Sequence, residues 1–363
     1  MGEPIFLISG ATGATGGAAA EQLLAKKRHV RVLAHRQDDR SERLKQLGAE
    51  VVFGDFLEFE EMRGALKGVQ RAYFCYPIRP GIVQATAHFA QAAKEYGVEF
   101  IVNMSQKSAR ENAKSHAAQQ HWRSERVFDW SGIPTGHIRP TYFAEWLVYL
   151  AGMIRQGKMF APFGTTGCHA PIAAEDQARV IVAMLENPES HKSKTYPLFG
   201  AVKLTHPEIA EKIGRVLNRQ IVYQQVDINQ FAKILSSCPK GPAQSTAAGL
   251  YGDADKAGAA GSTYLLSHLH EVAIDHHNGI FAGMNDLVST IGGRPPMTVE
   301  QFVEKASRGF RVKERRWFLR CRSPQRTRHL AIATIHGPWT MSQCSATRNT
   351  RGRVLFRAEQ KRV

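Results

Sequence analysis

Ile5-Phe-Leu-Ile-Ser-Gly10-Ala-Thr-Gly13-Ala-Thr-Gly16-Gly17 decides the fold. Four apolar residues are the length of a buried strand, and the alanine-rich run that follows favours helix, so the glycines mark a sharp strand-to-helix turn. The first amides of such a helix lack intrahelical partners and stand at the positive end of its dipole. Glycines let the backbone turn there and bring a pyrophosphate against those amides. Gly10, Thr12, Gly13, Ala14, Thr15 and Gly16 are therefore candidate cofactor-binding residues. The alternative is an ordinary tight turn.

Working outward, apolar strand-length runs alternate with helical periodicity as far as residue 140. Strands are expected at 4–8, 29–34, 50–53, 71–75, 99–104 and 135–138. The helices between them fall at 14–27, 39–47, 58–66, 81–96 and 117–131. This is the pattern of an α/β fold, a Rossmann-type doubly wound parallel sheet whose strand ends gather ligands along one edge. Beyond Pro140 the alternation weakens. Helices at 176–186, 207–217 (with Thr205 as N-cap), 228–235, 263–270, 278–288 and 299–306 are joined by short strands at 195–198 and 221–226. The expected organisation is a core over 1–140, a smaller α+β substrate-covering portion interleaved with it over 141–306, and a basic C-terminal extension over 307–363.

Charge supports that last boundary. The chain has 363 residues and a net charge of +16. Fifteen of its 48 Lys and Arg, but only Glu314 and Glu359 of its 32 Asp and Glu, lie after residue 306, leaving the body nearly neutral. The tail mixes Arg315, Arg316, Arg320, Arg322, Arg326 and Arg328 with Trp317, Phe318 and Trp339. It reads either as a nucleic-acid arm or as an unstructured extension, even one from an altered reading frame. The second is expected, because like charges resist compaction. Cys75, Cys168, Cys238, Cys321 and Cys344 are odd in number and widely spaced, with no disulfide framework or CxxC metal pair, which fits a reducing compartment. The N-terminus has no basic leader, and Phe6 breaks a myristoylation pattern. The apolar stretch 142–154 contains Glu145 and is too short to span a bilayer, so a cytoplasmic protein without membrane contact is expected.

The second strand carries the cofactor preference. Val30-Arg-Val-Leu-Ala34 runs into His35 and Arg36, where a carboxylate would bind the ribose hydroxyls of NAD and a cation the extra phosphate of NADP. NADP is favoured, with NAD possible through Asp38 or Asp39 and with Arg40 assisting; a solvated basic turn is the bland reading. Asp55 after the third strand is placed near the adenine, caps the next helix, or does both.

Gly10-Ala-Thr-Gly13-Ala-Thr-Gly16, Gly54-Asp55, Ser131-Gly-Ile-Pro134 and His137-Ile-Arg-Pro140, in that order, resemble the NmrA-like family of atypical short-chain dehydrogenase/reductases. The likeness runs from about Pro4 to Ala306 and leaves the basic tail outside. It implies an NAD(P)-binding Rossmann domain and one of two roles: an oxidoreductase acting on small molecules, or a catalytically silent redox sensor that binds a regulatory protein partner. The broader superfamily uses a Tyr with a Lys four residues later. Spacing back from Arg139-Pro140 puts Ala117 and His121 there, so the dyad is absent and the usual mechanism is in doubt.

Hydride transfer needs only a positioned dihydronicotinamide and a proton from a side chain or water. His121 would orient the ribose or donate that proton, unless it is a surface residue beside Trp122. Ser105 would face substrate from the fifth strand, or merely cap it. Tyr76, with Pro77, would stand at the mouth of the nicotinamide pocket. Tyr142, Phe143 and Trp146 would form an aromatic wall for a flat acceptor such as a quinone, or plain core packing. His268, His270, His276 and His277 with Glu271 and Asp275 match no familiar metal spacing, since His268 and His270 fall on different helix faces, and no metal is assigned.

Overall fold

A computed structural model describes residues 3–237, 258–306 and 310, together with two short strands at 346–348 and 354–356. The elements in chain order are β1 (Ile5–Ser9), α1 (Ala14–Ala25), β2 (His29–Ala34), α2 (Asp39–Gln46), β3 (Glu50–Phe53), α3 (Phe59–Leu66), β4 (Arg71–Phe74), α4 (Ile82–Glu95), β5 (Phe100–Met104), α5 (His116–Ser131) and β6 (Thr135–Pro140). Then follow α6 (Trp146–Tyr149), α7 (Ala151–Ile154), β7 (Lys158–Ala161), β8 (Cys168–His169), α8 (Ala174–Glu186), β9 (Thr195–Leu198), β10 (Leu204–Thr205), α9 (His206–Leu217), β11 (Val222–Gln225), α10 (Ile228–Ser237), α11 (Gly258–His277), α12 (Leu287–Gly292) and α13 (Val299–Lys305).

Seven strands form one parallel sheet in the order β3-β2-β1-β4-β5-β6-β9. The expected doubly wound α/β class is therefore what the chain adopts. Strands such as Phe100–Met104 are buried along their whole length because helices cover both faces. On one face α1 packs on α8, and α8 on α12. On the other, Phe74, Phe89 and Phe128 meet edge to face at 5.0–6.4 Å beneath α3, α4 and α5. A third apolar cluster lies between α6, α7, α9, α11 and α13.

The strand order reverses between β1 and β4, the place where open α/β sheets gape to admit a ligand. Ser9 ties this edge together. Its hydroxyl donates to the Tyr73 carbonyl and accepts from the Cys75 amide, both at 2.9 Å.

Later elements differ in detail from the sequence expectation. The separate helices expected at 263–270 and 278–288 are instead one long α11 and a short α12. Nothing between 270 and 277 breaks a helix, whereas Gly279, at φ +74°, cannot extend it, and the chain loops until Leu287. Thr205 does cap α9, in a reciprocal box with Glu208. Of the segment 314–363, only two short strands are described. Within it β12 (Ala346–Arg348) pairs antiparallel with β13 (Val354–Phe356). The remainder of the basic stretch, on which the expectations of an unstructured extension or a nucleic-acid arm fall, lies outside the described residues. No helix among the described residues is long and apolar enough to cross a membrane.

Candidate active site

A cleft of about 250 Å³ runs along the carboxyl ends of the strands, from the glycine turn to the aromatic residues after β6. Gly10, Thr12, Gly13, Ala14, Thr15 and Gly16 line one end. Gly10 adopts φ +61°, which lets the chain reverse out of β1, and the Gly13 amide closes the turn on the Gly10 carbonyl at 2.9 Å. Gly16 serves another purpose. A Cβ there would lie 2.5 Å from the Gly10 carbonyl oxygen and 2.8 Å from that of Ser9, so only glycine lets α1 sit this close to β1. Gly16→Ala should therefore cost about 1–3 kcal/mol of stability, as overpacking does, and weaken dinucleotide binding. Chemical denaturation with and without cofactor measures both, and an unchanged midpoint would show that the turn has slack.

Next along the cleft come His35 and Arg36 from the end of β2, with Asp38 and Arg40. Asp38 is committed elsewhere. Its Oδ1 accepts from the Arg40 amide at 3.0 Å and the Ser41 amide at 3.2 Å, capping α2, while Arg40 Nη2 bonds its Oδ2 at 2.5 Å. Burial pushes the Asp38 carboxyl up, but those bonds outweigh it and hold the group below its ordinary range. The carboxylate weighed as an NAD-type partner is thus satisfied by protein groups. Arg40 also donates to the Thr12 carbonyl at 3.1 Å, bracing the glycine turn. Asp55 lines the cleft 3.8 Å from His35 Nδ1. Its Oδ1 accepts from the Leu57 amide at 3.0 Å, whereas the N-cap of α3 is Glu58, so Asp55 shapes a local turn rather than capping the helix.

The far end gathers Cys75, Tyr76, Pro77, Ser105, Gln106 and His121. Tyr76 is held: its hydroxyl donates to the Pro80 carbonyl at 3.0 Å and accepts from Arg79 Nε at 3.1 Å, and burial raises its pKa. Burial pushes the Cys75 thiol up to about 11, so it stays protonated. Ser105 does not cap the strand, since its buried Oγ has no hydrogen-bond partner among the described residues. His121 is not the surface residue that the bland reading supposed. It is 5% exposed, and burial, opposed by Glu125, lowers its pKa to about 4. Tyr142 stacks on Trp146 at 5.5 Å, and both, with Phe143, line the cleft while packing into the apolar clusters beneath, so wall and core are the same residues.

Four residues along this cleft, Thr15 (Oγ1), Ser105 (Oγ), Gln106 (Nε2) and His121 (Nδ1), carry buried polar atoms without a partner among the described residues. Buried groups of this kind are normally satisfied, so several facing one cavity match a polar ligand. With the glycine turn and the unpaired first amides of α1, they fit a dinucleotide. Sequence reading missed His268, Leu269, Val272 and Phe281, which α11 and the loop after it bring to the cleft. His268, whose Nδ1 lies 2.8 Å from Ser115 Oγ, is kept neutral, its pKa pushed down to about 3 by burial and then by His121. No sequence signal marks them, because α11 has little amphipathic periodicity and Phe281 lies in the loop after it. His270 is exposed and His276 buried beside His169, outside the cleft.

Residues 4–268 match the profile of the NmrA-like family. The chain belongs to that family. An NAD(P)H azoreductase from Xenophilus azovorans is 25% identical over 307 residues, covering 84% of this chain and 99% of the relative. An Escherichia coli NADPH-dependent quinone oxidoreductase, solved with NADPH, superposes with a TM-score of 0.68 at 20% identity, over 84% of this NmrA-like chain and 99% of its own. NmrA itself, a negative transcriptional regulator solved with NADP, gives 0.65 at 15% identity over 85% and 98%.

Proposed function

We propose that this NmrA-like protein is an NADPH-dependent reductase that delivers a hydride to a small, flat, conjugated acceptor of the quinone kind. The observation that carries this reading is one continuous cleft with a phosphate-binding turn at one end, His35 and Arg36 beside it, and Tyr142, Phe143 and Trp146 at the other end. In this reading the amides of Ala14 and Thr15 hold the pyrophosphate, Arg36 and His35 take the 2′-phosphate, and Asp55 stands by the adenine. Tyr76, Pro77, Ser105 and Gln106 surround the nicotinamide end. The reduced cofactor, when bound, supplies the hydride. The aromatic wall orders a conjugated ring against that end.

His121 acts in this scheme as a positioning group. With a pKa near 4 it is neutral at pH 7 and offers a hydrogen bond rather than a stored proton, so the acceptor takes its proton from water. The names of the relatives, an azoreductase and a quinone oxidoreductase, support acceptors of this class.

Purified protein should oxidise NADPH in the presence of a quinone panel. Arg36→Asp should weaken NADP binding by about 1.5–3 kcal/mol, as for loss of a charge-assisted contact, while barely changing NAD binding. Equal losses for both coenzymes would remove the 2′-phosphate assignment. The missing Tyr-Lys pair and the neutral His121 favour one other reading, an NADP-sensing regulator acting through a protein partner. Saturable NADP binding with no turnover across the panel would select it.

A further inference from the structure

Three histidines distant in sequence converge behind the aromatic wall: His169 on β8, His206 at the first position of α9 and His276 in the last turn of α11. They are 1%, 4% and 0% exposed. One nitrogen of each lies within 4.8 Å of the other two, with His169 Nδ1 and His276 Nε2 at 2.8 Å. The rings are mutually 4.9–5.1 Å apart. His206 Nδ1, deeply buried, has no hydrogen-bond partner among the described residues. Three imidazoles packed together without a carboxylate among them are costly to bury unless something uses their lone pairs.

We propose that His169, His206 and His276 form a binding site for a divalent transition-metal ion of the zinc type. Tetrahedral zinc with nitrogen ligands at 2.0–2.1 Å sets those nitrogens about 3.4 Å apart, a spacing between the two limits found here, so small side-chain rotations complete the set. Three neutral nitrogens suit zinc, cobalt, nickel or copper and disfavour magnesium and calcium, which take oxygen. The Phe163 carbonyl stands beside the His276 ring. Among the described residues His276 Nδ1, like His206 Nδ1, is buried with no hydrogen-bond partner. Water completes the fourth position. No side chain fits at Gly167, where a Cβ would collide with His276 Nδ1.

The ion would tie the end of α11 to β8 and α9. Upstream on the same helix, His268, Leu269 and Val272 line the cleft, so occupancy braces one wall of it. The role is structural and separate from hydride transfer.

The test uses the untagged full chain, stripped with chelator and titrated with Co²⁺. One equivalent should produce the visible absorption of a tetrahedral site, Zn²⁺ should displace it, and Zn²⁺ should raise the thermal midpoint. His169→Gln, His206→Gln and His276→Gln should each weaken Co²⁺ binding at least about tenfold, while His270→Gln, at an exposed position on the same helix, leaves it unchanged. Absence of a stoichiometric Co²⁺ spectrum in the wild-type chain overturns the proposal. So does a spectrum that survives all three substitutions, which would place the metal elsewhere. A variant that loses its far-UV circular dichroism is set aside, and the remaining variants with the wild-type titration decide.

Discussion

Arg139→Met should destabilise the fold by about 3–5 kcal/mol, because it strands a carboxylate that water cannot reach. Arg139, at the end of β6, meets Glu125 on α5 through both oxygens. Nε lies 2.7 Å from Oε1, and Nη2 bonds Oε2. The Glu125 side chain is 0% exposed and that of Arg139 25%. Arg126, whose Nη2 is 3.7 Å from the same carboxylate, offers a weaker substitute and pulls the expected value toward the lower end. Removing both partners in Glu125→Leu/Arg139→Met should recover much of the loss, since the cost is that of the unpaired charge rather than the worth of the pair. Urea unfolding of the two singles and the double decides. Single-mutant losses under about 1 kcal/mol would mean that the pair is hydrated and that α5 is held to β6 by apolar packing alone.

Acidification should unfold the protein through His121 and His268. Both are held neutral by burial, with pKa values near 4 and 3, while an unfolded histidine titrates near 6.5. Their folded pKa values are depressed. The stability they allow is therefore complete above pH 6.5 and is lost as pH falls from there toward 4, because the unfolded chain takes up protons that the fold refuses. Between pH 6.5 and 4.5 the two together should cost on the order of 4–5 kcal/mol. The buried His169, His206 and His276 act in the same sense. Glu145 acts in the opposite one. Burial raises its carboxyl to about 7, so its contribution is full below about pH 4.5 and is lost as pH rises through 7. The His121→Gln/His268→Gln variant should show a flatter fall in unfolding free energy on the acid side. Parallel pH profiles for variant and parent would show that neither ring resists protonation.

Much of the cleft lining is legible in the sequence, and the reason is local. A glycine required by φ +61° at position 10, and another required by a 2.5 Å backbone approach at position 16, leave their mark within seven residues. The cation-bearing end of β2 is likewise a contiguous feature. Helix α11 was legible only in part: its breaker, Gly279, was overlooked and a break assumed where none exists. His121 was found by spacing, but its burial was not. A helix of mixed polarity does not reveal which histidine its neighbours will cover.

The sequence by itself determined the parallel α/β sheet, the strand-to-helix phosphate turn and the absence of a Tyr-Lys dyad, since each depends on periodicity or on residues adjacent in the chain. Tertiary structure alone decided that Asp38 is spent on Arg40 and the start of α2. It alone placed His268 opposite His121, and His169, His206 and His276 in one cluster. These histidines are separated by up to 147 residues along the chain, and only the packing of α11 against α5 and β8 brings them within reach.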